Sequence, residues 1–286
     1  MNAHGTPQLS AVIGEDSGGE PVLVVLTEQR PHARWIGTLG TGKSSQLRLV
    51  VEQLARQVPA TPGRLRMVLF DHRGMDKTFS GLDELDGVVV VHPDSTWKPA
   101  GHNTDAAIER LRDELDWRRT HPTAAMGPLV IIIDDADHEW RRDSPLVDLI
   151  VGESEAEPGA KFMYPRITPP NGIHILLTST ELENFYEDPE IPERARLRAA
   201  ESFTTVMLPL GPNDLYRCAA QLASLESVCG NTLGAVVADW RRLDWMGPHR
   251  FGKPREAFRI TSNGAVRFRV AQPADRHGAT ARPSCH

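Results

Sequence analysis

The sequence is poor in cysteine, with three in 286 residues: Cys218, Cys229 and Cys285. The number is odd and the spacing forms no C-x-x-C pair. Neither a disulfide framework nor a structural zinc site can be built from them, and they read as free thiols in a reducing compartment. No apolar run approaches the roughly 18 residues that a membrane-spanning helix needs. Met1 to Ser10 holds no basic segment followed by an apolar one, so no secretory leader is read there. Lysine is scarce as well: five of the 32 basic residues are lysine and 27 are arginine. Acidic residues outnumber them at 38, for a formal net charge of −6. A surface that is basic all over is excluded, so any nucleic-acid contact has to be a local patch or a ring built by assembly. These absences predict a cytoplasmic protein that reaches a membrane only through a partner.

What is present is the composition of a globular protein, 40% hydrophobic and 24% charged, long enough to bury a sizeable core. Ala11–Ile13 and Val22–Leu26 flank a polar Gly-rich turn and read as a hairpin. Ala33–Ile36 reads as a short strand leading into a second Gly-rich turn. Leu47, Val50, Val51, Leu54 and Val58 then share one helical face over Ser44–Val58, which Pro59 ends. Strands are expected at Leu65–Phe70 and Val88–Val91. A helix capped by Thr104 or Asp105 is expected to run to about Arg119, with Ile108, Leu111 and Leu115 inward. Leu129–Ile133 and Ile173–Leu177 are unbroken apolar runs, the pattern of strands covered on both faces. Between them come a short helix over Ser144–Val151 and a Gly/Pro/Glu-rich loop over Gly152–Asn171. Helical pattern returns at Arg194–Ala200 and Leu215–Ser227. Ala257–Ile260 and Val266–Val270 read as a hairpin around Asn263-Gly264. Strands alternating with helices predict an α/β fold with a mainly parallel central sheet flanked by helices, and a small hairpin at each end. Residues 1–270 are expected to form one domain and 271–286 a flexible tail.

The strongest signal is Gly37-Thr38-Leu39-Gly40-Thr41-Gly42-Lys43-Ser44, which fits G-x-x-x-x-G-K-[ST]. The glycines let the backbone curl so that the N–H groups from about Gly40 to Ser44 face phosphate oxygens. The helix that follows aims its positive end at the same oxygens. In that pattern Lys43 reaches the β- and γ-phosphates and Ser44 ligates Mg²⁺. Gly37 to Ser45 are therefore the expected ATP-binding residues. The second signal is Asp134-Asp135 after the buried run, where such proteins hold Mg²⁺ through water. Asp134 is assigned to the metal. Asp135 is assigned to orienting the attacking water, a position where many motors carry the longer Glu. Ser179, at the end of Ile173–Leu177, reads two ways: a contact to the γ-phosphate or the water, or an ordinary Ser/Thr turn. Asp71 sits similarly after its strand and reads as a turn or cap ahead of a contact to the γ-phosphate or the water. The 11 histidines show no zinc spacing. Asp134, Asp135 and Asp137 lack the glycine and distal Glu of a calcium loop.

In order, Ala11-Val-Ile-Gly-Glu-Asp, Gly19-Glu-Pro-Val22, Arg30-Pro-His32 and the Gly37–Ser44 loop resemble the opening of the FtsK/SpoIIIE motor domain. Val68-Leu-Phe-Asp71, the helix with Glu114 and Arg118-Arg119, Ile133-Asp134-Asp135 and Gly172-Ile-His-Ile-Leu-Leu-Thr178 continue that order. The resemblance covers roughly residues 11–210. It implies a RecA-like, ATP-driven motor that forms a homo-oligomeric ring and pulls double-stranded DNA. Single-domain relatives in actinobacterial plasmids move plasmid DNA between cells. A related branch, the type VII secretion motors, moves or gates protein, and Asp134-Asp135-Ala136-Asp137 is similar to that branch. The family often carries Gln and Arg where this chain has Thr180 and Glu181, and a subunit that binds nucleotide but hydrolyses it poorly is a third reading. A ring motor offers an Arg to its neighbour's γ-phosphate; Arg194, Arg196 and Arg198 are the candidates, against a solvated helix face. The acidic stretch Glu181–Glu193 reads as a solvated face or a docking surface for a basic partner. Arg241, Arg242, His249, Arg250, Lys253 and Arg255 read as a DNA-channel lining or as plain surface. Lys43→Ala is expected to abolish ATP binding or turnover, checked by titration with a fluorescent ATP analogue and by phosphate release. Unchanged activity in that variant overturns the loop assignment.

Overall fold

A computed structural model describes residues 8–27, 30–72, 78–92, 104–121, 127–137, 146, 149, 172–180, 203–208, 256–261 and 264–271. β1 (Leu9–Glu15) and β2 (Pro21–Leu26) largely alternate buried and more exposed positions. That is the period of strands covered on one face. Their turn is held by Asp16, whose side chain accepts from the N–H groups of Gly18 (2.8 Å) and Glu20 (3.0 Å). Six strands are instead buried at every position: β3 (His32–Ile36), β4 (Met67–Asp71), β5 (Val88–Val91), β6 (Leu129–Asp134), β7 (Ile173–Ser179) and β8 (Phe203–Met207). β9 (Glu256–Thr261) and β10 (Gly264–Val270) close the chain order, with helices α1 (Lys43–Ala55) and α2 (Thr104–Thr120) between the earlier strands. The expected elements at 144–151, 152–171, 194–200 and 215–227 lie outside the described residues, apart from 146 and 149.

All ten strands among the described residues join one sheet, in the order β2-β1-β10-β9-β8-β3-β7-β6-β4-β5. From β8 to β5 every neighbouring pair is parallel. The remaining pairs are antiparallel. The two terminal hairpins are thus not separate appendages but extend the central sheet past β8. The β9–β10 turn also lies one residue earlier than expected, since Thr261 pairs with Gly264. A one-residue slip would turn Phe268 out of the core. Gly14 marks a bulge in β1, and a Cβ there would lie 2.0 Å from the Arg269 carbonyl oxygen. Only glycine lets β10 approach β1 so closely.

Side-chain alternation sorts the sheet into two faces. Trp35, Leu69, Val90, Ile132 and Leu176 pack with Leu47, Val50, Val51 and Leu54 of α1. Phe70, Val91, Ile131, Ile133 and Ile175 pack with Ile108, Leu111 and Leu115 of α2. Four buried aliphatic side chains on α1 contribute about 1.5–3 kcal/mol each. Glutamines on the same helix then fix where it sits. Gln53 accepts from Val12 N–H and donates to Val12 O, both at 2.9 Å. Gln57 does the same to Ser10, at 3.0 and 2.6 Å. Such bonds contribute about 0.5–1.5 kcal/mol each, so burial supplies the affinity and the amides select the register. Gln46 donates to Ile13 O (3.2 Å) and Ala271 O (2.9 Å), tying α1 to the end of β10. The far end of α1 is capped by Arg66, which donates at 2.8 Å to the carbonyls of Ala55 and Val58.

In the sheet β4, which follows β3 in the chain, lies beyond β7 and β6, whereas β8, which follows β7, lies beyond β3. The carboxyl end of β3 is therefore a topological switch point, where open α/β sheets bind ligands. Below it the sheet holds buried polar groups. His32 is 2% exposed, and its Nδ1 accepts from Ile175 N–H at 3.1 Å. Burial, with a smaller contribution from His174, pushes its pKa down to about 3. His174 donates from Nδ1 to Pro31 O at 2.8 Å, and burial lowers its pKa too. Both rings are neutral in the native state at pH values where the unfolded chain would protonate them. Stability is thus full above about 6.5 and falls as the pH drops toward 3, by at most about 1.4 kcal/mol per pH unit from His32. The urea midpoint is expected to fall between pH 7 and pH 5, and to fall less in His32→Asn. An equal slope in the variant removes His32 as the cause.

Candidate nucleotide-binding site

The Gly37–Ser44 loop leaves β3 pinned on both sides. Gly37 N–H donates to Ser179 O at 3.2 Å, and Leu208 N–H donates to Ile36 O at 2.7 Å. Two glycines supply the curl, with φ +79° at Gly40 and +94° at Gly42, a region that side chains rarely adopt. Gly42 is the N-cap of α1, and its carbonyl accepts the Gln46 N–H at 2.9 Å. Thr41 folds its hydroxyl onto Thr38 O at 2.8 Å. Lys43 is 4% exposed and donates to the carbonyls of Gly37 (2.5 Å) and Thr38 (3.2 Å), so its ammonium lies over the start of the loop. Gly40 and Ser45 face solvent, and Leu39 is 68% exposed at the tip.

Alternation carries the two faces of the sheet up to its carboxyl edge. Asp71, Asp134 and Thr178 continue the α1 face of β4, β6 and β7; Ser179 continues the α2 face. Asp134, 1% exposed, accepts the Ser44 hydroxyl at 2.9 and 3.0 Å to its two oxygens. The two residues assigned to the metal from sequence are thus in contact. A hydroxyl and a carboxylate are the hard oxygen donors that Mg²⁺ takes. Among the described residues no cluster of three or more His, Cys, Asp or Glu could hold a metal.

Asp135 is half-buried and adopts φ +63°, the one non-glycine positive φ among the described residues. Its N–H donates to the Thr178 hydroxyl at 2.8 Å, and that hydroxyl donates to Asp134 at 2.7 Å. Ser179 donates to Asp137 Oδ1 at 2.6 Å. Asp137 Oδ2 also accepts from Thr180 N–H and the Thr180 hydroxyl, each at 2.6 Å. Five hydrogen bonds therefore stitch the turn after β6 to the end of β7. Asp71 is the register partner of Asp134, and its Oδ2 lies 3.2 Å from Nδ1 of His92. The sequence reading assigned no role to Thr178 or Asp137. Period-two alternation from Leu176 was the available signal for Thr178. Arg194, Arg196, Arg198, the 181–193 stretch and the 241–255 basic cluster lie outside the described residues.

No family model matches the chain, and no curated protein matches it. Solved structures share its fold. It is similar to the cytoplasmic domain of the type VII secretion ATPase EccC of Thermomonospora curvata, with 20% identity and TM-score 0.55 over 94% of this chain and 30% of that one. VirB4 of Thermoanaerobacter pseudethanolicus matches at 9% identity and TM-score 0.55, over 94% of this chain and 98% of that one. The pCW3 conjugation coupling protein TcpA, in monomer form with ATPγS, matches at 13% identity and TM-score 0.50, over 92% and 66%. The chain spans less than a third of the EccC chain it matches. What these likenesses share with the chain is the fold, an α/β sheet whose parallel half carries the loop and the acid pair. Because Asn tolerates the left-handed backbone as well as Asp does, Asp135→Asn is expected to keep the fold and ATP binding and to lose hydrolysis. Thermal melting, nucleotide titration and phosphate release check the three parts; normal turnover would mean another base.

Proposed function

We propose that the chain is an ATP-binding and ATP-hydrolysing motor subunit, acting in a homo-oligomeric ring that moves double-stranded DNA. The observation that carries the ATPase reading is the Ser44–Asp134 hydrogen bond. It places the head of the P-loop helix against the acid end of β6, beside Lys43 and the α1 amino end. In this reading residues 37–45 bind the triphosphate of ATP. Lys43 exchanges the carbonyls of Gly37 and Thr38 for phosphate oxygens. Ser44, and Asp134 through water, would hold Mg²⁺, which would neutralise charge on the phosphates. Asp135 orients water for in-line attack. Ser179 carries the state of the γ-phosphate to the end of β7. Residues 1–270 form the motor unit and 271–286 a tail, although Ala271 is itself anchored by Gln46.

Ring assembly follows from the need for a positive charge on the far side of the γ-phosphate, which Arg194, Arg196 or Arg198 of a neighbour would supply. DNA as cargo rests on the FtsK/SpoIIIE-like order of motifs, and the fold shared with a conjugation coupling protein supports it. A second reading, a motor that moves or gates protein, is favoured by Asp134-Asp135-Ala136-Asp137 and by the fold shared with a secretion ATPase. Among the described residues no helix is long and apolar enough to cross a membrane. Steady-state ATP hydrolysis should be measured with and without double-stranded DNA, at low salt and several protein concentrations. Several-fold stimulation by DNA, rising steeply with protein concentration, is the expected result. Hydrolysis indifferent to DNA transfers the assignment to protein cargo, and tight ATP binding without hydrolysis makes the chain a regulatory subunit.

A further inference from the structure

We propose that Thr178 is a positioning residue that links the metal-assigned acid to the water-assigned acid through one hydroxyl; this rests on the ATPase reading above. A threonine hydroxyl has one proton and two lone pairs. Here the proton goes to Asp134 Oδ1 at 2.7 Å, and a lone pair takes the Asp135 N–H at 2.8 Å. Both partners are adjacent residues of the site, so the rotor is held from two sides. Thr178 is 1% exposed, and water does not compete for either bond.

The consequences differ for the two acids. Asp134 receives Ser44 from α1 and Thr178 from β7, so two hydroxyls on different elements orient one carboxylate. Bonds to a charged acceptor are short and directional, and removing one loosens the orientation of the carboxylate. Asp135 is held differently. Its side chain is not the acceptor; its main chain is held, at a φ of +63° that few non-glycine residues other than Asp and Asn adopt. Thr178 supplies that hold on the α1 face. On the other face the bonds from Ser179 and Thr180 to Asp137 hold the same turn two residues later. A buried strand hydroxyl with only a structural role needs no more than a nearby carbonyl; this one is spent wholly on the two acids.

Valine has the same shape and lacks the hydroxyl; serine keeps it. The test compares the parent chain with Thr178→Val and Thr178→Ser. A fluorescent ATP analogue is titrated with Mg²⁺ and with EDTA, and kcat and KM are measured at saturating Mg²⁺. Thr178→Val is expected to bind as the parent does in EDTA. The tightening conferred by Mg²⁺, and kcat, should each fall about 10- to 100-fold, the usual effect of losing an outer partner of a ligand. KM should move less than kcat. Thr178→Ser should restore both. Parental Mg²⁺ dependence and kcat in Thr178→Val overturn the inference, as does a serine variant that restores neither. A parent that binds ATP but never turns over refutes the hydrolysis reading, and the Mg²⁺ dependence alone then decides the role of Thr178. A parent that binds no nucleotide overturns both.

Discussion

The Ser44–Asp134 contact joins residues 90 positions apart in the chain, and the rest of the architecture can be read as what keeps them within 3 Å. Ser44 sits on the first turn of α1, so its position follows the rotation and height of that helix. The aliphatic stripe of α1 sets the face presented to the sheet but tolerates sliding, because apolar contact is not directional. Gln46, Gln53 and Gln57 remove that freedom by bonding the main chain of β1 and Ala271. Arg66 fixes the opposite end. The terminal hairpins therefore matter to the site without touching it: β1 is the strand against which the P-loop helix is indexed. The bulge at Gly14 is what admits β10 beside that strand.

Asp134 is placed by a different logic. It ends a strand with parallel neighbours on both sides, β4 and β7, in register at Asp71 and through Leu177. Parallel pairing brings all carboxyl ends to one edge, and the two-residue period divides what stands there between two faces. Thr178 falls with Asp134 and Ser44. Ser179, one residue later, falls on the other face with Asp137. Consecutive residues of β7 thus serve opposite sides of the sheet, and a single strand end grips the acidic turn from both.

The P-loop and the acid pair were legible in the sequence because they are local: a glycine pattern before an amphipathic helix, and two acids after an apolar run. The strands Leu129–Ile133 and Ile173–Leu177 were legible for the same reason. β8 was not read as a strand, although it borders the P-loop strand directly. Its sequence, Phe203-Thr-Thr-Val-Met207, is short and carries two hydroxyls in five residues, and both threonines are buried. Thr205 accepts a hydrogen bond from the buried Arg34 at 2.8 Å, a partner 171 residues away. Such a strand is apolar enough only in company, and a window of sequence does not contain the company. The terminal hairpins were read as hairpins but not as parts of the main sheet, since strand order is set by contacts between β1, β10 and β8 rather than by pattern within any one of them. Thr178 was passed over because a threonine at a strand end is ordinary until alternation assigns it a face.

Asp135 shows how backbone geometry bears on the choice of acid. From sequence, an aspartate where many motors carry glutamate looks like a loss of reach. The turn after β6 adopts φ +63° there, and the left-handed region costs an ordinary residue roughly 1–2 kcal/mol. Aspartate and asparagine enter it more readily, because their short polar side chains bond locally. A glutamate at 135 would regain a methylene and lose that tolerance, in a turn already held by five hydrogen bonds between 134–137 and 178–180. The shorter acid is the one this backbone accepts. The hydroxyl of Thr178 and the carboxylate of Asp137 hold that turn in place.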